Sequence, residues 1–152
     1  MFRDGAARAI TGDAGGSVDF GSGLSNFRRS HSAAIQPKWQ ASVLMKVTEL
    51  LSLRPGWDSY SAPVLKHDAA MFAMIVLQNV MKPGTPEPSV VPSSTGGVQL
   101  EWHVKDIDLE IHVLAPYQGE IWWCDRATGH ESSVQLSKDL SVLSEPINKM
   151  SA

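Results

Sequence analysis

A single cysteine, Cys124, is all the thiol chemistry in this chain. No disulfide can close within it, and one chain cannot build a cysteine-based structural zinc site from it. Such usage points to a reducing, cytoplasmic compartment. No run approaches the roughly 18 consecutive apolar residues of a membrane span. The most apolar stretch, Ala69 to Val80, is too short and ends in Met81-Lys82-Pro83-Gly84. Behind the charges of Met1-Phe2-Arg3-Asp4-Gly5 there is no apolar segment, so the N-terminus does not read as a signal peptide. Neither sign of charge dominates: 13 basic and 16 acidic residues leave a formal net charge of -3. That balance gives no global attraction to nucleic acid or to an anionic membrane. The signatures HExxH, DxDxDG, GxxxxGK[ST] and GxSxG are missing, so no catalytic residue, metal or cofactor is assigned.

What is present is ordinary globular material. At 152 residues, with 43% hydrophobic and 19% charged residues, the chain is long enough for one domain with its own core. Residues 1–36 are rich in glycine and serine, sustain no period, and read as a flexible N-terminal arm ahead of a single α+β domain over 37–152. Phe27-Arg28-Arg29-Ser30-His31 is the compact basic cluster of that arm, and Arg28 and Arg29 are its candidates for touching nucleic acid.

Pro37 suits a first helical turn, and Trp39, Val43, Val47, Leu50 and Leu51 recur at helical spacing, so a helix is expected from Pro37 to Leu53. A second is expected from His67 to Met81. Phe72, Ile75, Val76 and Val80 form its inner stripe, widened by Met71, Met74 and Leu77. Between them, Trp57, Asp58 and Tyr60 lie in a turn-rich segment and are candidate contact residues, although a loop tryptophan more often just packs on the core. Lys82 to Pro92, with its prolines, reads as an extended connector.

Strict alternation then marks a hairpin. Val98, Leu100, Trp102 and Val104 alternate with polar residues, as do Ile107, Leu109, Ile111 and Val113. A two-residue turn at Lys105-Asp106 sets Val104 opposite Ile107 and Trp102 opposite Leu109, which puts every apolar residue on one face. A third strand follows over Gly119 to Asp125, a shorter fourth over Ser132 to Leu136, and a short helix from Lys138 to Leu143, capped by Ser137 and stopped before Pro146. The expected fold is two helices followed by an antiparallel β-meander of three to four strands, with the helices packed on one face of the sheet.

This register turns Glu101 against Glu110 and His103 against Asp108 on the outer face, beside His112. Directly opposed carboxylates repel unless a proton, a cation or a partner's basic residues neutralise them. The face reads as a solvated surface, as a protein-binding surface, or as a metal-dependent hydrolase or nuclease site built from Glu101, His103, Asp108 and Glu110. In Trp122-Trp123, neighbours point to opposite sides of a strand, so Trp123 enters the core and Trp122 falls on the polar face or an edge, either as a contact hot spot or covered by the N-terminal arm.

Two segments, Gly56-Trp57-Asp58-Ser59-Tyr60-Ser61-Ala62-Pro63 and Val90-Val91-Pro92 leading to Gly96-Gly97-Val98-Gln99-Leu100-Glu101-Trp102, together with Asp108-Leu109-Glu110-Ile111, resemble a family of small bacterial proteins. Its members share a GWDxYxAP loop, a helix and a VVPxxxGGVQLEW hairpin. The resemblance spans roughly residues 50–114, and Ser61 stands where a glycine is expected. It implies the fold and carries no catalytic residues, because the family has no established activity.

The resulting expectation is a non-catalytic protein-binding module of a bacterium or mobile element: an antitoxin, an immunity protein, or a defence or anti-defence factor such as a CRISPR-related one. Its partner would be another protein, met through Trp57, Asp58, Tyr60, Glu101, His103, Glu110, His112 and Trp122. The alternatives are the metal-dependent enzyme and nucleic-acid binding through the arm.

Overall fold

A computed structural model describes residues 36–152. Apart from Gln36, the expected arm, with Arg28 and Arg29, lies outside the described residues. The elements run α1 Lys38–Leu51, α2 His67–Val80, β1 Ser89–Pro92, β2 Val98–Val104, β3 Ile107–Ala115, β4 Gln118–Asp125 and β5 His130–Gln135, then a 3-10 turn at Ser141–Leu143 and α3 Ser144–Ser151. The strands form one antiparallel meander in the order β1-β2-β3-β4-β5. The chain is thus α+β, with two helices before the meander, and has five strands rather than the expected three to four.

The hairpin takes the register that its alternation demands. Val104 pairs with Ile107, Trp102 with Leu109, and Glu101 with Glu110. The turn is tight enough that Lys105 and Asp106 both adopt positive φ, 49° and 62°. Such a pair of dihedrals is normally left to Asn-Gly, because its twist matches that of the strands. Here a tertiary contact accompanies the strained turn: the Lys105 ammonium donates to the carbonyls of Met150 (3.1 Å) and Ala152 at the end of α3. A cation at a helix C-terminus also suits the helix dipole.

Apolar residues on one face of the sheet and on the helices belong to one core. Val98, Leu100, Trp102, Leu109, Ile111 and Trp123 are buried with Val43, Val47, Phe72, Val76, Leu77 and Ile147. α2 lies against β2 and β3, α1 against β1 and α2, and α3 against β3. The stripe of α2 is shifted from the expected one. Met74 and Leu77 are buried, whereas Ile75 and Met71 are about half exposed, at 48% and 46%. Helical spacing alone left that choice open, since both sets recur at three and four residues.

Three elements differ from expectation. The proline-rich connector contains β1: an edge strand tolerates proline where its nitrogen points away from the ladder. The last helix begins at Ser144, not Lys138, and Pro146 lies in its first turn, where a missing N–H costs nothing. Ser137 is therefore no helix cap. Its hydroxyl accepts the Asp139 N–H (3.1 Å), and Asp139 Oδ1 accepts the Ser141 N–H (2.9 Å), which bends the chain into the 3-10 turn. The fourth strand of the sequence reading is β5, starting two residues earlier, at His130.

The β3–β4 connection depends on Gly119. Its φ is +147°, and a Cβ there would meet the His112 carbonyl oxygen at 1.8 Å. Gly119→Ala is expected to cost more than about 2 kcal/mol. Urea unfolding measures this, and a cost below about 0.5 kcal/mol would contradict it.

Candidate functional site

Antiparallel strands alternate between pairs that exchange backbone hydrogen bonds and pairs that do not, and side chains approach more closely in the second kind. Just beyond the strands, Arg126 N–H donates to Asp106 O (2.8 Å) and Ser93 N–H to Gly97 O (2.9 Å). Counting by twos along the registers, Glu110 exchanges bonds with Trp122, and Gln99 and Glu101 bond toward β1. Glu101 and Glu110 are therefore a non-hydrogen-bonded pair, with Cα atoms about 4.5 Å apart. The backbones of the two glutamates oppose each other in the closer of the two geometries.

The registers arrange the outer face in three rows. The middle row runs Ser89, Glu101, Glu110, Trp122, Ser133. One flank runs His103, Asp108, Cys124, Glu131, and the other Val91, Gln99, His112, Glu120, Gln135. Glu101, His103, Glu110, His112 and Trp122 thus share one surface. None of them is fully buried, and Trp122 is partly exposed beside Glu110. Trp123, its neighbour, is buried at 2% exposure and stacks at a tilt on His130, with ring centres 4.8 Å apart.

Neutralisation on this surface is partial. Gln99 Nε2 donates to Glu110 Oε2 (3.0 Å), which adds a dipole but no charge. His103 Nδ1–H donates to Asp108 Oδ1 (2.8 Å), while its Nε2 stands 3.9 Å from Glu101. Arg126 Nε reaches Asp108 Oδ2 at 3.5 Å. Trp122 Nε1 donates to Glu131 Oε1 (2.7 Å), and Ser133 Oγ donates to Glu120. His112 Nε2 is buried and has no hydrogen-bond partner among the described residues. Among the described residues, no three histidine, cysteine, aspartate or glutamate side chains are placed to hold a metal ion.

Trp57, Asp58 and Tyr60 do not join this surface through any hydrogen bond. They form a self-contained loop between α1 and α2. Asp58 Oδ1 accepts the N–H groups of Tyr60 (2.9 Å) and Ala62 (3.1 Å), and these donors hold its carboxyl below the usual carboxylate range. Trp57 Nε1 donates to the Pro63 carbonyl (3.2 Å), so the indole N–H is engaged within the loop. Tyr60 alone projects, at 88% exposure. Glu120 and Glu131 were missed by the sequence reading. Glu120 shares the parity of Trp122, a signal available in the sequence. Glu131 required the β4–β5 register.

One charged side chain is buried for a structural purpose. Asp125, 5% exposed, accepts the Ala127 and Thr128 N–H groups through Oδ1 and the Lys149 ammonium through Oδ2 (2.5 Å). It ties the β4–β5 turn to α3. The Lys149 ammonium holds the Asp125 carboxyl below its ordinary range, and Asp125, then Glu145, raise Lys149.

Compared with known proteins, the chain matches no family model, no curated protein and no solved structure. No residue role is therefore carried over from a relative.

The Asp125 pair sets a pH dependence. A depressed folded pKa gives stability that is present above the unfolded value of 3.8 and lost as pH falls through the folded one. Asp125→Asn is expected to lower stability by a constant amount at neutral pH, with the gap to wild type closing below about pH 4. Denaturant midpoints taken from neutral to acid pH check this. A gap that stays constant throughout would contradict it.

Proposed function

We propose that the chain is a non-catalytic binding module whose outer sheet face receives a basic segment of a partner protein. The observation that carries this is the arrangement of Glu101, Asp108, Glu110, Glu120 and Glu131 around partly exposed Trp122, with Arg126 as the one arginine paired there among the described residues. In this reading the helices cover the apolar face and leave the acidic one free. An aromatic ring flanked by carboxylates suits lysine and arginine, which pair with the charges and stack on the ring. The like-charge pair at Glu101 and Glu110 costs the free chain stability, and a basic partner would return it.

A small acidic module of this kind would serve as an antitoxin, an immunity protein, or a defence or anti-defence factor, CRISPR-related ones included. Each of these roles rests on masking another macromolecule's working surface. No helix among the described residues is long and apolar enough to cross a membrane, and the proposal needs none. Nucleic-acid binding through Arg28 and Arg29 would use the arm, outside the described residues, and the acidic face itself repels phosphate.

Affinity capture from bacterial lysate tests the proposal, with wild type compared against a Trp122→Ala, Glu110→Lys double variant. Wild type is expected to retain a basic protein that high salt releases, and the variant to bind it at least about tenfold more weakly. Identical captures by the two proteins would overturn the proposal.

A further inference from the structure

The two edges of the sheet are not alike. In β1, Ser89 and Val91 bond to β2, so Val90 and Pro92 turn their backbones outward. Pro92 has no N–H, Val90 is 4% exposed, and α1 packs against this strand. That edge is closed. In β5, the Leu136 N–H donates to Gly119 O (2.9 Å), and the β3–β4 alternation independently turns Ile121, Trp123 and Asp125 toward β5. Both observations place His130, Ser132 and Val134 in the β4 ladder. Glu131, Ser133 and Gln135 therefore turn their N–H and C=O groups outward, and all three residues are exposed.

Among the described residues, no other backbone group bonds to these three. Exposed edges are normally blunted by proline, charged side chains (lysine above all) or a bulge, and the one carboxylate of β5, Glu131, is engaged by the Trp122 indole. His130–Gln135 contains no proline or lysine, and its pairing with β4 runs without a register shift.

We propose that β5 accepts an extended segment of a partner protein as a sixth, antiparallel strand. The segment carries basic side chains at the positions above the outer face and apolar side chains at the alternate ones. This rests on the outer-face reading above and states how that face is engaged. An added strand lies about 4.8 Å from β5, and its side chains alternate between the two faces. On the outer face they come beside Glu131, with Glu120 one strand further in, within reach of a lysine or arginine stem. On the other face they come beside Val134, 37% exposed, which gains apolar cover. A second copy of this chain fits less well. Pairing β5 with β5 sets two acidic faces side by side, and β5 has no lysine or arginine to meet Glu131.

The test uses a synthetic peptide of about eight residues alternating lysine and valine, matched to a strand of ordinary length. In the proposed pairing the lysines stand opposite Glu131, Ser133 and Gln135, so their backbone N–H groups bond to β5, whereas those of the valines face solvent. Backbone N-methylation at the lysines is expected to weaken binding at least about tenfold, and the same modification at the valines to leave it unchanged. Ser133→Pro removes an outward N–H and spares the β4 ladder. It is expected to keep the native circular dichroism and lose the peptide.

Equal binding of the two methylated peptides, or undiminished binding by Ser133→Pro, overturns strand addition. If Glu110→Lys still weakens binding in that case, the acidic-face reading stands without it. Failure of the unmodified peptide to bind also overturns the proposal. Dimerisation seen by sedimentation and abolished by Ser133→Pro overturns it in favour of a second copy.

Discussion

The register of the β2–β3 hairpin is the constraint from which the rest of this molecule follows. A shift by one residue would send Leu100, Trp102, Leu109 and Ile111 to the outside and bring Glu101, Glu110 and the histidines inward. The alternation in both strands forbids that, because the apolar face is the floor of the core. The same alternation fixes the outer face. Burying the hydrophobic set makes it unavoidable that two glutamates stand opposite each other.

The cost of that arrangement is local and affordable. Cross-strand like charges are worth tenths of a kcal/mol to about 1 kcal/mol, small against the apolar area that the register buries. Two other carboxylates are fully engaged. Asp125 is buried only because Lys149 and two backbone N–H groups satisfy it, and Asp58 serves its own loop. By contrast, Glu101 and Glu110 receive one amide donor and one distant imidazole nitrogen. Within the outer face, Glu101 and Glu110 are less fully paired than Asp108, Glu120 and Glu131, which hold His103 and Arg126, Ser133, and Trp122 respectively.

Much of this was legible in the sequence, for definite reasons. The two-residue turn and period-two runs gave the hairpin pairing residue by residue, and the Trp122-Trp123 dipeptide told its own faces apart. β1 was illegible because Pro88 and Pro92 dominate Val90-Val91, and only tertiary context shows that the nitrogen of Pro92 faces away from β2. α3 was misplaced because Pro146 signals a stop as readily as a start. Trp57, Asp58 and Tyr60 looked like contact residues, yet the hydrogen bonds that occupy Trp57 and Asp58 lie within their own loop. The β5 edge needed the backbone alternation of three strands, which composition does not carry.

The hairpin register sets Glu101 opposite Glu110 and leaves their repulsion only partly relieved. A double-mutant cycle with Glu101→Gln and Glu110→Gln, read by urea unfolding at low salt, measures it directly. An unfavourable coupling of about 0.2–1 kcal/mol that shrinks as salt is added is expected. A coupling of zero, or a favourable one, would contradict it.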